Sequence, residues 1–460
     1  MIQNFDELLR QGVKNHGDTS FVHEESKEGK EGKSGFIAHS YNEFYRDVRS
    51  AAHRLVALGY GGKNIMLYGK NSYAWAVCYM AIAAYVGVVV PIDRAWGQNE
   101  LDNVQRDLDI ALILCDGDAA IESAAPQLCL DNRLFENGGD RVYEIFEKSD
   151  GDTHKIAYTS GTTSKPKKVA LSAKNLFANI GALLEIFDMS PGDRILSIMP
   201  LHHITPVLSS LVYPFCLGLD LYIASDYTRV MKYLRLVKPT LLFAVPRFYE
   251  KILERLPSAL RPFLPFLFGG KTRGLYSAAA VLGEGTIKTY KRWGLPLLQG
   301  YGSTETSAIV SVELLRGYRL GSVGKVLPNQ KVEIIDGEIC VRGENVAKEF
   351  VGGDGYFHTG DLGRLDEGGW LYFAGRKKRL IKLSNGKNVY PEELEELLLG
   401  CQNVLSARVF EKDGHVAAII CAVAEPDAKN AVEKINGTIP RYMAITAWEF
   451  GREAKSSYKS

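Results

Sequence analysis

Cysteine is scarce and unpatterned in this chain. Seven cysteines (Cys78, Cys115, Cys129, Cys216, Cys340, Cys401, Cys421) are scattered over 460 residues, odd in number and without a CxxC pair. That distribution argues against a metal or disulfide framework, and the thiols read as reduced core residues of a cytoplasmic protein. An excess of either charge is also missing. Lys+Arg 55 against Asp+Glu 54 leaves +1, so no basic field invites nucleic acid and no acidic excess favours disorder. The opening "MIQNFDELLRQGVKNHG" carries acidic residues early and lacks an apolar core of signal-peptide length, so it implies no export. Long hydrophobic runs are nearly absent too. Ala74 to Val90 is 17 residues without a charge, at the lower edge of the roughly 17–25 that span a bilayer. Gly87 and Pro91 interrupt it. The better division is a buried helix over about 74–85 and a strand over 88–90, with no stable membrane insertion.

What is present is length and alternation. A chain of 460 residues exceeds the usual span of one hydrophobic core, so two or more domains are expected. Short apolar runs, "NIMLYG" (64–69), "VVVP" (88–91) and "IALILCD" (110–116), alternate with helical patterns such as 98–107. The theme repeats with "RILSIMP" (194–200), "LDLYIA" (219–224) and "TLLFAV" (240–245), separated by helices after Ala173, after Thr205 and near 229–237. Strand and helix in this alternation build parallel sheets covered on both faces, so the fold class is α/β, with two doubly wound subdomains in about the first 300 residues. The texture then changes. "KVEIIDGEICVRG" (331–343) sets Asp336-Gly337 between alternating strands, a tight hairpin in a β-rich subdomain. From Gly375 a charged stretch leads into a small α+β segment, with Pro391 and a Glu-rich turn opening a helix. The expected division is residues 1–375 and 376–460.

The stretch "IAYTSGTTSKPKKVAL" (156–171) raises the question of chemistry. It fails the nucleotide-loop pattern GxxxxGK[ST], because Pro166 stands where the second glycine belongs. Thr159, Ser160, Thr162, Thr163 and Ser164 offer hydroxyls beside backbone N–H groups around Gly161, and Lys165, Lys167 and Lys168 add mobile charge. Polyphosphate suits that combination. Read alone, the loop could equally be a solvated Ser/Thr turn.

Two further stretches follow in order: "QGYGSTET" (299–306) and "YFHTGDLGRLDEGGWLYFAGRKKRLIKLSNGKNVYPEELE" (356–395). With them the chain resembles, over nearly its whole length, the acyl-adenylate-forming superfamily of acyl-CoA synthetases, peptide-synthetase adenylation domains and luciferases. "LYGKNSYAWAVCYMAIAAYVGVVVPID", "MPLHHITPVLSSLVYPFCLG" and "VKPTLLFAVPRFYEKIL" look most like the fatty acyl-CoA synthetase branch. The resemblance implies a large adenylation core and a small mobile lid hinged near Lys378. It implies ATP-dependent conversion of a small-molecule carboxylic acid, fatty or aryl, to acyl-AMP, with Mg²⁺, then transfer to the thiol of CoA. Loading of an acyl carrier protein's phosphopantetheine is the nearest alternative; a nucleotide-binding regulatory protein without catalysis is another.

By the same resemblance, Thr159, Ser160, Gly161, Thr162, Thr163 and Lys167 would hold the β- and γ-phosphates, Thr304 the α-phosphate, and Glu305 the metal. Tyr301 would lie against adenine, Asp361 would accept both ribose hydroxyls, and Arg376 would reach the ribose. Lys459 would serve adenylation, and Lys382, on the opposite face of the lid, thioester formation. His202 and His203 would wall the carboxylate pocket, His203 nearer the acid. Gly300, Ala278 and Ala279 would flank the acyl group, on a small-residue strand within "YSAAAVL" (276–282). The chain departs from the family pattern at Ser164 and Lys168, where glycine is usual, and at Tyr458 before the terminal lysine. A positive φ at 164 or 168 would cost a side chain about 1–2 kcal/mol. The stretches between 395 and the terminal motif and between 253 and 276 are short, which marks a compact member.

Overall fold

The computed structural model describes residues 2–26, 35–119, 121–136, 151–159, 167–278, 280, 282–383, 387–412 and 414–451. Its first sheet has six strands, in spatial order Gln127–Cys129, Ile110–Cys115, Asn64–Tyr68, Val88–Pro91, Thr153–Thr159 and Lys167–Ser172. Every neighbouring pair is parallel except the last, which is antiparallel. The short runs dense in Val, Ile and Leu form these strands because both sheet faces are covered, so each strand buries both sides. The uncharged stretch is not a membrane segment. It folds as an α-helix, Tyr73–Ala81, continued by a π-turn, Ile82–Val86, every residue of which is buried, and then the strand Val88–Pro91. No helix among the described residues is long and apolar enough to cross a membrane.

The second sheet has nine strands, in the order Lys325–Val326, Ser311–Val312, Leu297–Tyr301, Gly274–Ser277, Leu241–Ala244, Arg194–Ser197, Asp220–Ile223, Ser20–Glu25 and Phe36–Ser40. From Leu297–Tyr301 through Ser20–Glu25 the pairing is parallel. The N-terminal hairpin joins this sheet through a partner distant in sequence, with Val22 opposite Leu221. Helix Tyr41–Ala57 leaves that hairpin through a capping box, in which Ser40 and Glu43 satisfy each other's backbone N–H groups. The expected small-residue strand is shorter than "YSAAAVL". It ends at Ser277, Ala278 makes one last ladder bond to the Ala244 carbonyl, and Ala279 lies outside the described residues.

The β-rich part is a four-stranded antiparallel sheet, Gln330–Ile335, Glu338–Gly343, Phe357–Leu365 and Leu371–Arg376. Its hairpin turns on Asp336 and Gly337, with φ of 50° and 79°, the paired positive values of a type I′ turn. Residues from Ile381 to Ile445 form their own hydrophobic cluster around a three-stranded sheet, Val404–Lys412, His415–Ala422 and Ala447–Phe450. Helix Pro391–Leu399 opens on its proline with Glu392 and Glu393 in the first turn.

Candidate active site

The phosphate strap is anchored at both ends. Thr159 closes one strand, Lys167 opens the next, and the two are register partners across the antiparallel pair. Ser160, Gly161, Thr162 and Thr163 lie outside the described residues, and of Thr159 only the backbone is described. Lys168 sits within the strand Lys167–Ser172 and is not among the residues with positive φ, so a lysine carries no backbone strain there. Lys167 Nζ stands 3.2 Å from Glu305 Oε1 and 4.0 Å from the Phe350 ring centre.

Glu305 belongs to a 3₁₀ turn, Thr304–Thr306, just past the C-terminal end of the strand Leu297–Tyr301. That is where parallel sheets place their ligands. The turn is held from below by buried amides. Asn179 Nδ2 donates to the carbonyls of Thr306 (3.0 Å) and Ser307 (2.8 Å), and Asn345 Nδ2 donates to Thr306 (3.1 Å). Gly302 permits the tight return, since a Cβ there would stand 2.3 Å from the Ala308 carbonyl oxygen. Sequence reasoning missed both asparagines. The available signal was Asn179 amid the apolar residues of "LFANIGALLEI", a polar group that needs a partner once buried.

Three candidates for the nucleoside side meet one another. The Tyr301 hydroxyl donates to Asp361 Oδ2 at 2.7 Å, and Arg376 Nε stands 2.9 Å from Asp361 Oδ1. Asp361 and Arg376 face each other across the strands Phe357–Leu365 and Leu371–Arg376. Asp361 is 4% exposed. Burial raises its carboxyl above the ordinary range, and the Arg376 charge opposes that. Oδ1 accepts no hydrogen bond among the described residues, because the Arg376 N–H is not directed at it. Next along the chain, Lys377 pairs with Glu338 at 2.6 Å, Lys378 lies in the 3₁₀ turn Lys377–Arg379, and Lys382 is exposed on the strand Ile381–Lys382. Lys459 lies outside the described residues.

The His202 and His203 rings touch at a tilt, with 4.0 Å between centres and 49° between planes. Burial, with His203 and Lys155 nearby, pushes His202 down to about 2. Burial and Lys155 push His203 down to about 4. His202 is therefore neutral at physiological pH, while His203, exposed on its outer side, is shifted in the same direction. Lys155, which sequence reasoning passed over, is fully buried on the strand Thr153–Thr159 and donates to the His202 carbonyl at 3.0 Å. Burial pulls its ammonium down to about 7. A pocket with about 730 Å³ of empty space, counting its mouth, opens at the ends of the strands Gly274–Ser277 and Leu297–Tyr301. Ala278 and Gly300 line it, as do Thr205 and Ser209. His202 and His203 do not; they lie just before its wall helix, which begins at Ile204.

Among the described residues no group of three His, Cys, Asp or Glu side chains could hold a metal by itself. Glu305, 13% exposed beside Lys167, supplies one hard carboxylate. One is enough for Mg²⁺ when phosphate oxygens complete its shell.

The AMP-binding enzyme family matches residues 9–351 of the chain. Long-chain-fatty-acid–CoA ligase FadD15 of Mycobacterium bovis is 28% identical over 437 residues, covering 77% of this chain and 72% of that protein. Indoleacetate–CoA ligase of Aromatoleum aromaticum is 31% identical over 349 residues, covering 67% and 65%. Among solved structures, o-succinylbenzoate CoA synthetase of Bacillus subtilis, in complex with its acyl-adenylate intermediate, superposes with a TM-score of 0.81 at 22% identity, covering 97% and 94%. ATP-bound MatB of Rhodopseudomonas palustris gives 0.82 at 24%, covering 98% and 95%. At those identities the structural likeness establishes the fold.

Proposed function

The chain belongs to the AMP-binding enzyme family, and we propose on that footing that it activates a fatty or aryl carboxylic acid with ATP and passes the acyl group to CoA. A carboxylate is a poor acyl donor because its leaving group would be oxide. Attack of the carboxylate oxygen on the α-phosphorus of ATP expels pyrophosphate and leaves acyl-AMP, from which a thiolate displaces AMP to form the thioester. Positioning and charge neutralisation are what the protein must supply. Asp361 carries the reading: a buried carboxylate held between the Tyr301 hydroxyl and Arg376, beside the turn that carries Thr304 and Glu305, suits the ribose hydroxyls of a nucleotide. Tyr301 and Arg376 orient that carboxylate, while Lys167, Thr304 and the strap of residues 159–163 hold phosphates. Glu305 would hold Mg²⁺, which would supply further neutralisation of phosphate charge. His202 and His203 position the start of the pocket's wall helix at Ile204 rather than contact the acid from within the pocket.

Residues 376–460 act as the lid, hinged at Lys378, with Lys459 serving adenylation and Lys382 thioester formation. The free thiols of the described structure support a cytoplasmic setting. A carrier-borne phosphopantetheine presents the same thiol as CoA, and supplying each in turn to enzyme-bound acyl-AMP distinguishes them. The test of the activity is acid-dependent pyrophosphate release trapped with hydroxylamine. Asp361→Asn should raise the KM for ATP about ten- to a hundredfold, the worth of one or two hydrogen bonds to a charged group. Unchanged ATP dependence removes Asp361 from the nucleotide site.

A further inference from the structure

Between Tyr227 and Glu284 the only acidic residues are Glu250 and Glu254, in a chain whose opposite charges otherwise nearly cancel. Both are engaged by Arg247. Arg235, Lys238, Arg255 and Lys271 are exposed, Arg261 is half-buried, and no ion pair among the described residues engages them. The stretch is a local excess of positive charge.

An apolar row stands among these charges. After helix Pro246–Arg255 the chain runs through "LPSALRPFLPFLFGG" (256–270). Its 3₁₀ turn, Ser258–Phe263, has no buried residue. Leu260, Phe263 and Phe266 are 47%, 58% and 74% exposed. They are spaced by three, the period at which side chains of a 3₁₀ turn line up, so they share one edge. Pro257, Pro262 and Pro265 fix φ along that edge and stiffen it. Leu264 and Phe268 are buried with Tyr233, Leu234 and Val237 of helix Val230–Val237, which pins the row to the body. Gly269 fits against Lys238, whose Cα would stand 2.7 Å from an added Cβ, so the cation at that helix's end borders the row. Apolar residues scattered singly on a surface need no account, whereas a contiguous row does.

Helix Val230–Val237 precedes the strand Leu241–Ala244, the row precedes Gly274–Ser277, and the Arg273 N–H donates to the Thr240 carbonyl at 2.8 Å. The row therefore lies at the N-terminal ends of these strands. Ala278 and the turn Thr304–Thr306 follow the C-terminal ends of their strands, so a surface held by the row leaves the candidate active site open.

We propose that this face docks the protein on an anionic lipid surface, with Leu260, Phe263 and Phe266 entering the headgroup layer and the flanking arginines and lysines on lipid phosphates. Charge complementarity selects the partner. Apolar side chains bordered by Lys and Arg are the composition with which a protein lies on an anionic membrane rather than crossing it. The row projects and consists of Leu, Phe and Pro with few hydrogen-bonding groups. That suits a deformable layer better than the fitted pocket a protein partner would have to supply. The inference goes beyond the acid-activating function and does not depend on it.

The test is co-sedimentation of the full chain with vesicles of phosphatidylcholine alone or with added phosphatidylglycerol. Binding should require phosphatidylglycerol and weaken as salt screens the charges. At about fivefold per charge, Arg235→Gln/Arg255→Gln/Lys271→Gln should weaken it about a hundredfold. Phe263→Ser/Phe266→Ser should weaken it by at least about tenfold, because burial of apolar area is lost. Thermal midpoints should be held, since the substituted side chains are exposed. Absence of binding, equal binding to both vesicles, or undiminished binding by either variant overturns the inference. So does a concentration-dependent dimer that Phe263→Ser/Phe266→Ser dissolves, which would assign the row to a second copy of this chain. Binding to polyglutamate as strong as to vesicles, and indifferent to the phenylalanines, would assign the charges to an acidic protein and overturn it as well. Acid-dependent pyrophosphate release is measured without vesicles, so none of these outcomes bears on the enzymatic reading.

Discussion

A lysine ammonium sealed beneath the His202–His203 turn, with the Tyr79 ring 5.7 Å from its nitrogen, must lose either its proton or some of the stability around it. Lys155 was not legible as a special residue because "THKIAYT" does not reveal which face of a strand is covered, and this strand is covered on both. Its pKa, about 7 in the fold against 10.5 for the free side chain, fixes the sign of a pH effect. Between those values the unfolded chain binds more protons than the folded one, so folding stability rises with pH across that window. Below about 7 the full penalty of a buried charge is present, and above 10.5 it is gone. Lys155→Met should therefore stabilise the protein near pH 6 by a few kcal/mol, less about 1 kcal/mol for the lost hydrogen bond to His202. The advantage should fade as pH climbs. Denaturant midpoints of both proteins across that range provide the measurement, and parallel curves would show that this amine does not titrate in the window.

Elements divide by how local their causes are. The strands at 64–68, 88–91 and 110–115 and the helix at 98–107 were readable because each rests on a run or period within a dozen residues. The Asp336-Gly337 hairpin was readable for the same reason, since both turn residues tolerate positive φ. The N-terminal hairpin's place in the second sheet was not, because its register with Leu221 is set across most of two subdomains. Nor were Asn179 and Asn345, whose role exists only once Thr304–Thr306 is folded above them. Of the site, the motif residues Tyr301, Glu305, Asp361 and Arg376 stood out in sequence, whereas the pocket's lining depends on packing that no single stretch encodes. Two glycines separate these cases by experiment. At Gly337 an added Cβ meets nothing closer than 3.8 Å, so Gly337→Ala should cost only the backbone strain of positive φ, about 1–2 kcal/mol, and leave turnover intact. At Gly302 the Cβ would stand 2.3 Å from a carbonyl oxygen, so Gly302→Ala must displace the turn that carries Thr304 and Glu305. Turnover should fall at least about a hundredfold, as misplacement of about 1 Å does elsewhere, with a thermal midpoint loss that need not exceed that of Gly337→Ala. Comparable activity in the two variants would mean the turn adjusts without consequence.

At the scale of the whole molecule, the question is how one chain runs two reactions on one acyl-AMP. Residues 381–445 pack around their own hydrophobic cluster. Among the described residues, a carboxylate oxygen of Glu396 in helix Pro391–Leu399 accepts from the Glu284 N–H at the head of helix Glu284–Arg292, at 3.2 Å, and so ties this cluster to the body. A hydrogen bond to a carboxylate is worth at most about 1.5–3 kcal/mol, and a reorientation must break it. Just before the proposed hinge, the Lys377–Glu338 pair ties the first residues of the 376–460 unit to the body, and Lys378 begins the stretch that would turn. If residues 376–460 present different faces in the two steps, a lysine serving one step is idle in the other. Lys382 is exposed on a strand of that unit, as a group that waits for the second arrangement must be. Lys382→Ala should then leave pyrophosphate release near its starting rate and slow thioester formation from supplied acyl-AMP by about a hundredfold or more, as loss of a group acting at the reacting centre does. Lys459→Ala should do the opposite. Measured as separated half-reactions, equal losses in both assays for both variants would mean that a single fixed arrangement performs both steps.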